Sequence, residues 1–197
     1  MRSTRRSAAR PASSGGTWRS ANVDSHDDGA EAIVEVESDI TRAELDQAYM
    51  DSALRFLAQR PRSEQEIRRR LQTKGPSEER IERVLARLRE LKLANDHDFA
   101  QYWTENRSLF KPRGDRALRS ELFQKGVPRD IIDTTLEKER DIVDDAYRAG
   151  YRRAMLSRTL EEREFRERMK MFLLRRGFDW ETIEQALERL WNAAAAS

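Results

Sequence analysis

The sequence predicts an all-α protein of three tandem three-helix repeats stacked into an elongated, curved array. Gly75, Gly126 and Gly177 recur at an interval of 51 residues, and the same order of apolar and basic side chains surrounds each of them. No segment alternates with period two for long; Ala32 to Glu37 is the single candidate for a strand, and it lies in a polar region. Eight and four positions before each glycine stand Ile67/Leu71, Leu118/Leu122 and Met169/Leu173, successive turns of one apolar helix face. Six and ten positions after it stand Ile81/Leu85, Ile132/Leu136 and Ile183/Leu187. Two helices therefore meet at each glycine. The glycine ends the first of them, because a residue just past a helix end takes positive φ without a Cβ penalty. The preceding Lys74, Lys125 or Arg176 suits the negative end of the helix dipole.

In chain order, residues 1–40 read as a disordered tail. Arg2, Arg5, Arg6, Arg10 and Arg19 lie among Ser, Ala, Gly and Thr, and the stretch from Asp24 to Asp39 turns acidic. Repeat 1 spans 41–95. Its first helix opens on the capping-box spacing Thr41-Arg42-Ala43-Glu44 and carries the stripe Leu45, Ala48, Tyr49, Ala53, Phe56 and Leu57, ending near Pro61. Its middle helix opens at Ser63, with Glu66 in box position, and its third follows Pro76. Repeat 2 spans 96–140. Asp96 caps a helix bearing Phe99, Ala100, Tyr102 and Trp103, the middle helix opens at Gly114-Asp115, and Pro128 precedes the third. Repeat 3 spans 141–197. Val143, Ala146, Tyr147, Gly150, Tyr151 and Ala154 form its first stripe, Thr159-x-x-Glu162 opens the middle helix, and Asp179 starts the last. No glycine or proline separates the helix around Leu136 from the one at Val143, so the pattern leaves that boundary open. A unit of this length buries little surface alone, so stability comes from stacked neighbours.

Composition narrows the function classes. The chain of 197 residues is 38% hydrophobic and 38% charged with mean hydropathy −0.90, and it has no apolar run long enough for a membrane span or a secretory signal core. Zero cysteines exclude disulfides and thiolate metal sites, and fit a cytoplasmic location; His26 and His97 lie far apart, against a histidine metal site or triad. No cofactor is expected. No Gly-x-x-x-x-Gly-Lys phosphate loop is present, and no carboxylate is set in an apolar context that tunes it for catalysis, so an enzyme is not expected.

The charge pattern is more informative than the net charge of +2. Arg60–Lys74 carries six cations against two anions, Arg107–Lys125 six against two, and Arg148–Arg176 ten against four. The middle helix of every repeat is cationic. If equivalent helices line one side of the stack, they make a basic stripe suited to a polyanion or an acidic protein groove. The candidate contacts are Lys111, Arg113, Arg116 and Arg119, at the turn into the central middle helix where exposed amides also suit an anion, followed by Arg68, Arg69, Arg70, Arg175 and Arg176. The competing expectation is that many of these pair with neighbours such as Glu66, Asp115 and Glu121. Of Phe178 and Trp180, at least one is expected to be buried, and Trp103 and Trp191 belong to the core.

Arg60-Pro61-Arg62-Ser63 with Glu66 and Leu71, Asn95-Asp96 with Phe99-Ala100, Lys111-Pro112-Arg113-Gly114 with Leu118, Glu121-Leu122 and Lys125-Gly126, and Arg176-Gly177-Phe178 resemble, in order and spacing, the blocks of the RecX recombination regulators. The resemblance covers roughly Ala48 to Trp191. It implies three tandem three-helix repeats and a modulator of the RecA recombinase that binds in the helical groove of the RecA filament on single-stranded DNA. Suppression of ATPase, strand-exchange and coprotease activity is implied with it. The residues by themselves also allow a direct, sequence-independent DNA-binding protein built from helix-turn-helix-like modules. Glu78, Glu79, Glu82, Asp130, Asp133, Glu137, Glu181 and Glu184 on the third helices oppose that reading by their sign. A monomer is expected, because the apolar stripes are used up within the chain.

Overall fold

The computed structural model describes residues 28–138 and 140–196, with side chains from residue 41 onward. Among the described residues there are nine helices and no strand: α1 (Asp28–Leu57), α2 (Glu64–Gln72), α3 (Glu78–Glu90), α4 (Asp96–Phe110), α5 (Asp115–Gln124), α6 (Arg129–Leu136), α7 (Ile142–Leu156), α8 (Glu162–Arg175) and α9 (Trp180–Ala195). The chain divides into two compact units, Met1–Thr41 and Arg42–Ser197, and the packing described below is that of the second.

Three buried clusters follow the three helix triplets. The first joins Ala53 of α1 to Ile67 and Leu71 of α2 and to Ile81, Val84, Leu85 and Leu88 of α3. The second joins Phe99 and Ala100 to Leu118 and Leu122 and to Ile132 and Leu136. The third and largest joins Ala146 and Ala154 to Phe165, Met169 and Leu173 and to Ile183, Ala186, Leu187 and Leu190. The residues at minus eight, minus four, plus six and plus ten from each glycine are thus the core of each triplet. Each fully buried Leu, Ile or Phe contributes about 1.5–3 kcal/mol by leaving water.

Several local expectations are corrected. α1 begins at Asp28, so residues 28–40 of the expected tail are helical, Ala32–Glu37 among them, and Thr41 lies inside the helix instead of capping it. No glycine or proline interrupts Ala30–Leu57, so nothing stops the helix from extending upstream. Residues 1–27 of the expected tail lie outside the described residues. Leu45 and Ala48 of the first stripe are exposed, because α1 meets α3 at that level through Asp46, which pairs with Arg80 at 2.8 Å and Arg83 at 2.9 Å. The boundary left open after Leu136 is a true break, with Asp141 capping α7 by accepting the amide of Asp144 at 2.7 Å.

Two further caps differ from their sequence signals. α4 is capped by Asn95, while Asp96 Oδ1 accepts the amide of Glu64 at 2.9 Å and so caps α2 from another repeat. α8 starts at Glu162 after Glu161, not at Thr159, and is one turn longer than α2 and α5 measured from the glycine. Phe165 occupies the position of that extra turn which in the other repeats is the N-cap residue Ser63 or Gly114, and it is fully buried against Trp191 at 5.1 Å between ring centroids.

The three glycines have φ of 78°, 82° and 85°. The Val127 amide donates to Leu122 O at 3.1 Å and the Phe178 amide to Leu173 O at 3.3 Å, the six-to-one bond of a Schellman turn. Pro76 has no amide to make the equivalent bond in the first repeat.

Candidate partner-binding surface

The repeats are joined where the end of one middle helix meets the start of another. Ser63 Oγ, at the start of α2, donates to Lys125 O at the end of α5 at 2.6 Å, and Lys125 Nζ pairs with Glu66 at 2.8 Å. The amide of Gly114, at the start of α5, donates to Arg176 O at the end of α8 at 3.1 Å, and the amide of Arg116 donates to Gly177 O at 3.3 Å. In both joints the negative end of one helix dipole meets the positive end of the next, through the Ser63 hydroxyl in the first and through the Gly114 and Arg116 amides in the second. The middle helices therefore follow one another in the order α8, α5, α2, the end of each meeting the start of the next.

This geometry corrects one expectation. The amides of Gly114 and Arg116 at the start of α5 are engaged by the third repeat, so they are not open to an anion. What the turn offers is side-chain charge. Lys111 and Arg116 are exposed with no acidic partner among the described residues, and Arg113 lies 3.6 Å from Glu121, which already accepts from Arg107 at 2.7 Å and Trp103 at 2.9 Å. Arg119 is held by Asp133 at 3.1 Å.

The second group divides in the same way. Arg68 reaches Glu78 at 2.9 Å and Glu82 at 2.5 Å, whereas Arg69 and Arg70 are exposed, Arg70 lying 5.9 Å from the Phe56 ring. Arg175 is exposed. Arg176 is half-buried, lies 4.9 Å from the Phe172 ring and donates to Pro112 O at 3.3 Å. Its burial and the nearby Arg113 hold its guanidinium below the ordinary arginine value. Joint geometry thus brings Arg176 beside Pro112 and Arg113 and sets Gly177 against the Arg116 amide, while Arg68 and Arg119 are tied to third-helix carboxylates. Of the carboxylates expected to compete, Glu66 serves the joint between the first two repeats. Burial works to raise its carboxyl, but hydrogen bonds from Arg60 and Lys125 outweigh that and hold it below the ordinary glutamate value.

Sequence reasoning missed a groove between α5 and α6. It has a volume of about 390 Å³ and is lined by Arg116, Arg119, Phe123, Arg129 and Asp133 among others. Phe123 is 56% exposed and Arg129 lies 5.4 Å from its ring. In the third repeat the aromatic ring is on the third helix instead: Lys170 lies 4.0 Å from the Trp180 ring, which is 53% exposed, while Phe178 is buried. The spacing of Phe123 and Arg129 about Gly126 was available in the sequence, but it does not reveal which side of the helix pair faces solvent. Trp103 and Trp191 pack against the buried clusters of their repeats as half-buried residues.

Three family models match the chain in order: the first three-helix domain of RecX over residues 50–88, the second over 95–136 and the third over 139–187. The chain belongs to the RecX family. Curated relatives carry the name regulatory protein RecX. That of Chlorobium limicola is 37% identical over 140 residues, covering 71% of this chain and 87% of the relative. That of Mycobacterium sp. strain JLS is 34% identical over 176 residues, covering 83% and 94%. The crystal structure of RecX from Lactobacillus salivarius superposes with a TM-score of 0.67 at 21% identity, covering 75% of this chain and 97% of that one, and shows the shared fold. The RecX relationship makes the chain a member of a regulatory family, and its three-helix repeats are the RecX repeats. Among the described residues no helix is long and apolar enough to cross a membrane.

Proposed function

We propose that this RecX-family chain binds the RecA filament on single-stranded DNA, in the helical groove, and inhibits its ATPase, strand-exchange and coprotease activities as a non-enzymatic, monomeric regulator in the cytoplasm. The observation that supports the reading is the end-to-start junction of α8, α5 and α2, which links the three cationic middle helices in succession. A groove that winds past successive protomers presents repeated, individually weak sites, and three linked modules engage them as one multivalent ligand. Bridging neighbouring protomers stops filament growth or locks the inter-protomer geometry that ATP turnover requires. The residues bearing the contact are Lys111, Arg113 and Arg116 with Arg175 and Arg176, followed by Arg69 and Arg70. Arg68 and Arg119 stand behind them, already neutralised.

A weaker direct contact with DNA belongs to the same surface. Exposed Phe123 and Trp180, each flanked by a cation, suit stacking of single-stranded bases more than entry into a duplex groove. The helix-turn-helix alternative is disfavoured because the third helices present carboxylates that hold Arg68 and Arg119.

The test is RecA ATP hydrolysis on single-stranded DNA, titrated with the wild-type chain and with the Lys111/Arg113/Arg116/Arg119 to alanine variant. Inhibition well below equimolar, weakened in the variant, is the expected result. No inhibition at saturating protein would refute the proposal and leave DNA binding or another acidic partner.

A further inference from the structure

The Lys74–Gly75, Lys125–Gly126 and Arg176–Gly177 turns share a glycine of positive φ and one cation in front of it. Two of them receive the start of a helix. At Lys125–Gly126 the arriving turn is Ser63 to Glu66: the serine hydroxyl reaches the carbonyl before the glycine, Gln65 lies over the glycine, and Glu66 takes the lysine. At Arg176–Gly177 the arriving turn is Gly114 to Ala117, whose small residues allow backbone to meet backbone. The third turn has the same positive-φ glycine and an open face. Apart from its chain neighbours, no described atom lies within 4 Å of where a Gly75 Cβ would stand, and Lys74 is exposed without an acidic partner among the described residues.

The opposite end of the row does not continue in this way. α8 carries an extra turn that buries Phe165 where a joint would place a small N-cap, and its own N-cap is the long Glu161, which makes no cap hydrogen bond. The starts of α2 and α5 are already covered within the chain. Among the described residues, no middle helix of a second copy therefore offers a free start of the kind the two joints use.

We propose that the Lys74–Gly75 turn is a docking surface for the first turn of a helix in a partner protein, one with Ser or Gly at its N-cap and Glu three residues later. The negative end of α2 attracts the positive end of such a helix, Lys74 pairs with its glutamate, and the absent Cβ lets the backbones approach. The Lys125–Gly126 joint defines the occupant, so the proposal stands whether RecA or another protein supplies the helix.

The probe is a helix-stapled peptide with the sequence of residues 60–73, the segment that fills the equivalent turn of the second repeat, titrated into the full chain and followed by amide NMR. The expected result is saturable shifts centred on Thr73, Lys74 and Gly75. Lys74→Glu weakens binding about fivefold, as does Glu66→Gln in the peptide, in keeping with one partly exposed ion pair. Gly75→Asn abolishes it, and because asparagine tolerates positive φ and the surrounding space is open, the melting temperature moves little. Shifts elsewhere, no saturable shift at millimolar peptide, or undiminished binding by Gly75→Asn would overturn the proposal. So would self-association of the wild-type chain that Gly75→Asn removes, since the occupant would then be a second copy.

Discussion

Replacing each turn glycine with alanine separates what the turn requires from what the joint requires. All three positions have positive φ, so each alanine costs about 1 kcal/mol for backbone strain. At Gly75 nothing more is expected, because the new methyl meets no described atom within 4 Å beyond its chain neighbours. At Gly126 the methyl falls 2.6 Å from Gln65 Cγ and against its Cβ, which cannot rotate away, so overpacking adds about 1–3 kcal/mol. At Gly177 it falls 2.5 Å from the Ala117 amide nitrogen and 2.5 Å from its Cβ, and relief requires the ends of α8 and α5 to part. That movement also breaks the Gly114–Arg176 and Arg116–Gly177 hydrogen bonds, each contributing about 0.5–1.5 kcal/mol, for a total of about 3 kcal/mol or more. Urea unfolding of the three variants, followed by helical circular dichroism and tryptophan fluorescence, gives the comparison. The expected order of loss is Gly177→Ala, then Gly126→Ala, then Gly75→Ala. Equal losses at all three, or the largest at Gly75, would refute the joints as described.

Other expectations follow from the same contacts. Arg116→Ala should weaken RecA inhibition more than Arg119→Ala, because Arg116 is uncommitted while Arg119 is held by Asp133; equal effects in the ATPase titration would contradict that division. Glu66 has a folded-state pKa below the ordinary value of about 4.3, so its contribution is full above that pH and is lost as the pH falls through the lowered folded value. Wild type should accordingly lose stability in that window while Glu66→Gln, already weaker at neutral pH, loses less, as measured by denaturant midpoints from pH 7 downward. Phe165→Ala empties a fully buried site beside Trp191 and should cost about 3–5 kcal/mol, with Trp191 fluorescence reporting the loss of packing. Ser63→Ala removes both the α2 cap and the bond to Lys125 O and should cost about 1–2 kcal/mol in the same unfolding assay.

The fold was legible because its period is long and its local chemistry is explicit. The 51-residue recurrence of glycine, with apolar pairs at fixed offsets on either side, determines helix, turn and helix by itself, since positive φ and a 3.6-residue apolar face are properties of the chain's own residues. The cationic character of the middle helices was equally plain. Contacts between segments far apart in sequence were not. Asp96 stands in position to cap its own helix, yet its carboxylate serves Glu64, 32 residues away, because the two helix starts converge only after the repeats dock. Arg116 and Arg119 are alike as letters, but α6 supplies Asp133 to the second and nothing to the first. Gly75, Gly126 and Gly177 are one motif in sequence and three situations in space, since what lies against a turn is decided by the neighbouring repeat. The sequence alone determined the units and their charge; only the tertiary structure decided how they join, which cations remain available, and where the row of middle helices stays open.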